Sequence, residues 1–166
     1  MNLSDHFTLE ELVASNTATA KGFTENFNPS EAIIDNLTNL ATNVLEALRV
    51  KLGKPLVVSS GYRCPRLNAA VRGEPGSQHL CNGGSAAADI TCPDMDVQDL
   101  YDFVRNSGVP IDEVIYETDS RGDWWVHVSY DSQKTEQRGI CMKGVLRDGG
   151  GTTCIEDGLC SFKGSA

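Results

Sequence analysis

Helices interleaved with short, mostly antiparallel strands predict an α+β domain with a small sheet. Two observations carry that expectation. One is the segment "NPSEAIIDNLTNLATNVLEALRVKL", where Ile33, Ile34, Leu37, Leu40, Ala41, Val44, Leu45 and Leu48 recur at helical spacing. The other is a pair of apolar runs, "IDEVIYE" and "WWVHVSY", joined by a short polar connection that fits a hairpin. The chain has 166 residues, one domain's length, and a hydrophobic content of 40%, enough for a core without staples.

The remaining elements follow in order. In "HFTLEELVAS", Thr8 with Glu11 three residues later makes a capping box for a short helix with Leu9, Leu12 and Val13 on one face. Ser30 caps the long helix, and Gly53 and Pro55 end it. "PLVVSSGYR" reads as a short buried strand opening into a turn, and "PRLNAAVRG" as a short helix. "AAADIT" is a further strand, ended by "CPD". Asp96 caps "VQDLYDFVRNSG", which turns Leu100, Phe103 and Val104 inward. Residues 1–132 are expected to form the folded domain, and 133–166 a Gly/Cys-rich tail tethered by disulfides.

A net charge of −9 argues against a nucleic-acid partner, which needs a basic surface. No apolar run reaches the roughly 20 residues that span a bilayer. The opening "MNLSDHFTLEEL" lacks the basic and apolar regions of a signal peptide. Cys64, Cys81, Cys92, Cys141, Cys154 and Cys160 include no C-x-x-C pair, and their even count and wide spacing fit disulfides in an oxidising compartment.

Three residues stand out chemically. Strand alternation places Trp125, His127 and Ser129 on one face of "WWVHVSY". Asp89 ends "AAAD", and His79 lies on the preceding turn. Two histidines and a carboxylate suit zinc, with a fourth position left for water. Singly, His127 also reads as a core histidine and Asp89 as a cap.

The segments "SSGYRCPRLNAAVRGEPGSQHLCNGGSAAADI" and "WVHVSY" resemble the zinc D-Ala-D-Ala carboxypeptidase and L-alanyl-D-glutamate endopeptidase family. These are peptidoglycan peptidases with the Hedgehog/DD-peptidase fold, and the likeness is to their compact bacterial and phage branch. It spans about residues 4–131. It implies a Zn²⁺ cofactor held by His79, Asp89 and His127. It implies that Arg63 of "SGYR" faces the substrate and stabilises negative charge, with a structural ion pair as the other reading. Ser77 and Gln78 are expected to line the cleft, and Tyr62 to pack there or touch substrate.

Two features depart from the family pattern. A glutamate commonly precedes the last histidine by three residues, and here Trp124 stands there. The general base is then expected at Glu117, which ends "VIYE", with Asp123 second. The step from His79 to Asp89 is longer than the family's by three residues, absorbed within "LCNGGSA". Cys81 sits in that insertion; a disulfide to Cys64 or Cys92 and, second, replacement of a ligand are its two readings. The resemblance implies a monomeric peptidase acting on peptidoglycan peptide, extracellular, periplasmic or phage-associated. A zinc-containing binding module without catalysis, or a metal-free disulfide-rich structural protein, are the competing readings.

Overall fold

The structure, a computed structural model, describes residues 1–119, 121–146 and 152–163. Strands β1 (Val57–Ser60), β2 (Ser85–Thr91), β3 (Glu113–Thr118), β4 (Trp124–Asp131), β5 (Ile140–Leu146) and β6 (Thr152–Leu159) form one sheet among the described residues. Their order is β1-β2-β4-β3-β5-β6. Neighbours run antiparallel except β3 and β5, which are parallel. The architecture is α+β, as the element pattern predicts.

The helices form where their caps and apolar stripes require. Both bonds of the Thr8–Glu11 capping box are present at the start of α1 (Leu9–Val13). The short α2 (Asn16–Lys21), capped by the Ser15 hydroxyl, has too few apolar positions to show a period, and the sequence reading passes over it. The long helix is α3 (Glu31–Leu40), a π-helical turn Ala41–Leu45, and α4 (Glu46–Leu52). Gly53 ends it in the left-handed conformation that glycine adopts without penalty. The Ser30 hydroxyl occupies the N-cap but makes no capping bond. The wider π turn keeps Leu37, Leu40, Ala41, Val44, Leu45 and Leu48 all fully buried. Helix α5 (Pro65–Ala70) follows β1, and α6 (Val97–Asn106) is capped by Asp96, whose carboxylate accepts from the Gln98 N–H.

Pleating gives the sheet two faces with different work. Ala86, Ala88 and Ile90 of β2, Val114 of β3, and Val126 and Val128 of β4 join the core, against which α3 and α6 pack. The alternate residues, Asp89, Thr91, Glu113, Ile115, Glu117, Trp125 and His127, line a cleft on the opposite face.

Three expectations are corrected. β1 is an edge strand rather than a buried one, with Val57 46% exposed. The disulfides are absent: all six cysteines carry free thiols. Cys64 instead caps α5 by accepting from the Leu67 N–H, and Cys81 is held in the core by backbone bonds. Cys141 and Cys160 lie side by side, their sulfurs 2.7 Å apart. Within the segment 133–166, β5 and β6 continue the sheet, β5 through β3. The residues 147–151 and 164–166 of that tail lie outside the described residues, as does Ser120 of the hairpin connection.

Candidate metal centre

Antiparallel pairing of β2 and β4 sets Asp89 directly opposite His127 on the cleft face. His79 reaches the same point from a single 3-10 turn, Gln78–Leu80, whose start is capped by the Ser77 hydroxyl. The turn is fixed by the "SGYR" segment beside it. The Tyr62 N–H donates to the Leu12 carbonyl and the Arg63 N–H to the His79 carbonyl, each at 2.7 Å. Gly61 is required there by close approach, since a Cβ on it would lie 2.3 Å from the Leu12 carbonyl oxygen.

His79 Nε2 lies 3.2 Å, and His127 Nδ1 3.1 Å, from the same oxygen, Oδ1 of Asp89. The far nitrogen of each ring already has a partner. His79 Nδ1 is 2.7 Å from the Gly61 carbonyl, an acceptor only, so it carries a proton and donates. His127 Nε2 faces Oε1 of Gln78 at 3.3 Å and donates likewise. With those protons placed, two ring lone pairs and a carboxylate oxygen point at one another. Such a set needs a cation, and its chemistry fits zinc. The side chains of His79, Asp89 and His127 are all buried, and their ligand atoms lie within 4.8 Å of one another.

The electrostatics follow the same geometry. Burial pushes the charged form of Asp89 uphill, but both histidines outweigh it and hold the carboxyl far below its usual range. Burial lowers the His79 pKa, with Asp89 pulling against it. His127 is buried too, yet its bond to Asp89 and the Asp89 and Glu117 charges raise its pKa overall.

The other sequence-predicted residues divide. Arg63 donates to the second Asp89 oxygen, Oδ2, at 2.8 Å and through Nε to Ser60 at 3.0 Å. It is thus an ion-pair partner of Asp89 that also lines the cleft. Glu117 lies in the cleft, where Trp125 Nε1 donates to it at 2.8 Å. Burial raises its pKa, with His127 opposing and Asp89 adding. Asp123 stands at the rim, its side chain 70% exposed and 3.5 Å from Arg121. Ser77 and Gln78 line the cleft. Tyr62 is buried in the core cluster and also lines the cleft. Trp124 stacks on Tyr116 with ring centroids 4.4 Å apart.

The inserted residues between His79 and Asp89 leave the register intact. They form a turn closed by the Ser85 N–H to the Asn82 carbonyl, with Gly83 and Gly84 at φ 57° and 84°. Asn36 of α3 ties this turn to the long helix by donating to the Cys81 carbonyl at 3.0 Å. Sequence reasoning missed the Gly61 carbonyl, the Trp125 indole and Asp112, which binds Gln78. A carbonyl leaves no mark in a sequence, and Asp112 reads as an ordinary strand-entry acid.

The cleft measures about 1310 Å³, more than a compact small-molecule pocket needs and enough for an extended peptide. No helix among the described residues is long and apolar enough to cross a membrane. None of the curated proteins compared with the chain matches it. A model of the peptidase M15 family, however, matches residues 5–129, which hold the whole His–Asp–His group. The chain belongs to the peptidase M15 family, zinc-dependent metallopeptidases of the D-Ala-D-Ala carboxypeptidase type.

Proposed function

We propose that the protein is a zinc peptidase that hydrolyses peptidoglycan stem peptides, at a D-Ala-D-Ala or an L-Ala-D-Glu bond. One observation carries this reading: the lone pairs of His79 and His127 converge on the Asp89 carboxylate, in a peptide-sized cleft that also holds a half-buried glutamate. The core of helices on one sheet face and the cleft on the other support a Hedgehog/DD-peptidase-like arrangement. Work on such a substrate places the protein outside the cytoplasmic membrane or with a phage particle.

His79, Asp89 and His127 would hold zinc, which supplies Lewis-acid polarisation of a peptide carbonyl and activation of water. Glu117 would accept a proton from the attacking water and return it to the leaving amine. Burial raises its pKa, which favours the return of that proton. Trp125 aims the Glu117 carboxylate from the strand opposite. Asp123 is too exposed and too far toward the rim to compete. Arg63 fixes Asp89 and leaves positive charge on the cleft wall for a developing oxyanion or a substrate carboxylate.

His127→Ala is expected to lose both stoichiometric zinc and muropeptide release. Zinc content and release measured on one preparation test this, and unchanged zinc would remove His127 from the ligand set. Glu117→Gln is expected to keep zinc and lose roughly 10²–10⁴ in turnover. If the native chain and Glu117→Gln both bind zinc without turnover, the site belongs to a non-catalytic binding module.

A further inference from the structure

The turn between β4 and β5 bears on the metal centre through one buried acid. Asp112 precedes β3, and its side chain is 1% exposed. It collects donors from both sides. Arg138 gives its backbone N–H at 3.2 Å, Nε at 3.0 Å and 2.9 Å to the two oxygens, and Nη2 at 2.7 Å. Lys134 Nζ adds a bond of 3.0 Å. From the cleft side, Gln78 Nε2 donates to Oδ2 at 3.3 Å. Gln78 then presents Oε1 to Nε2 of His127.

We infer that Asp112, acting through Gln78, is a positioning residue that decides which nitrogen of His127 is free to bind metal. The logic is one of donors and acceptors. A carboxylate paired with two cations only accepts, so the Gln78 amide must turn its NH₂ toward Asp112. Its carbonyl oxygen then faces His127 and favours a proton on Nε2, against the Asp89 carboxylate, which draws it to Nδ1 until a cation takes that place. The lone pair is thereby left on Nδ1, the atom beside Asp89. Turned the other way, the amide would donate to His127, move the ring proton to Nδ1 and block the ligand atom. Lys134 and Arg138, both beyond the family match at 5–129, hold the carboxylate that sets this chain of choices. Outer partners of metal-bound histidines commonly act in this way.

This inference rests on the zinc reading but is tested without metal. In the metal-free protein at alkaline pH, with the rings neutral, ¹⁵N NMR reads which nitrogen of each histidine carries the proton. The native chain should show a larger share of His127 protonated on Nε2 than the variants do, and His79 protonated on Nδ1. In Gln78→Met and Asp112→Asn, His127 should become a mixture or shift to Nδ1, while His79, held by the Gly61 carbonyl, should not change. Zinc affinity should fall roughly 10–100-fold in both variants. An Nε2 share of His127 that is the same in the native chain and in Gln78→Met overturns the inference. If Asp112→Asn does not fold, Gln78→Met decides alone, because it removes no charge. A native chain with the expected tautomers that takes up no zinc overturns the proposed function and leaves this inference standing.

Discussion

Gly61 has two duties that no side chain permits together. Its Cα passes against the end of α1, and its carbonyl sets the His79 proton on Nδ1. Gly61→Ala forces a Cβ to within 2.3 Å of the Leu12 carbonyl unless one segment moves. It should cost about 1–3 kcal/mol of stability and weaken zinc binding as the carbonyl leaves His79. Thermal melting of the metal-free chain and zinc titration check the two effects, and an Ala variant unchanged in both would contradict the packing. At this scale the sequence is legible where a side chain does the work itself. The grouping of His79, Asp89 and His127 was readable from motif and strand alternation. Gly61, Trp125 and Asp112 were not, because a backbone oxygen, a bond across a hairpin of eight residues and a bond across 34 residues of sequence define their roles in turn.

Among the elements, the turn between β4 and β5 is bound through Asp112 more tightly than its polar sequence suggests. Burial alone would raise the Asp112 pKa, but hydrogen bonds from Arg138 and Lys134 overcome it, and the pKa lies below its ordinary value. A carboxyl depressed on folding adds stability above its unfolded pKa of about 3.9. That stability disappears as pH falls through the folded value. Asp112→Asn should therefore cost on the order of 2 kcal/mol at neutral pH. The gap to the native chain should close as pH drops below about 4. Urea denaturation across that range measures it, and a gap independent of pH would contradict the ion-pair account. The long helix was readable because its apolar stripe is long and regular. Its π turn was not, since apolar residues at 40, 41, 44 and 45 suit either winding. β1 was misread because a short apolar run looks alike at an edge and in a core.

For the molecule as a whole, the surprise lies after Tyr130. The sequence fades into glycine and cysteine there, and a parallel partner for β3 leaves no local hairpin signature. Disulfides were expected because cysteine number is visible and thiol placement is not; in the fold, Cys64 caps a helix and Cys81 fills core space. The parallel pairing of β5 with β3 also has a consequence for where this protein can be cut. β3 carries Glu117 and sits inside the sheet only because β5 covers its outer side over Glu113–Tyr116. A version stopped at Tyr130, near the limit of the family match, would strip Asp112 of Lys134 and Arg138 and bare a row of backbone donors and acceptors. Such a fragment should be adhesive, joining copies strand to strand. Sedimentation velocity should find it associated at concentrations where the intact chain is not, and a monodisperse, zinc-competent fragment would show that the C-terminal strands are dispensable. If the fragment does stick, the outer strands serve as a selvedge, the woven margin that keeps the sheet from unravelling into its neighbours.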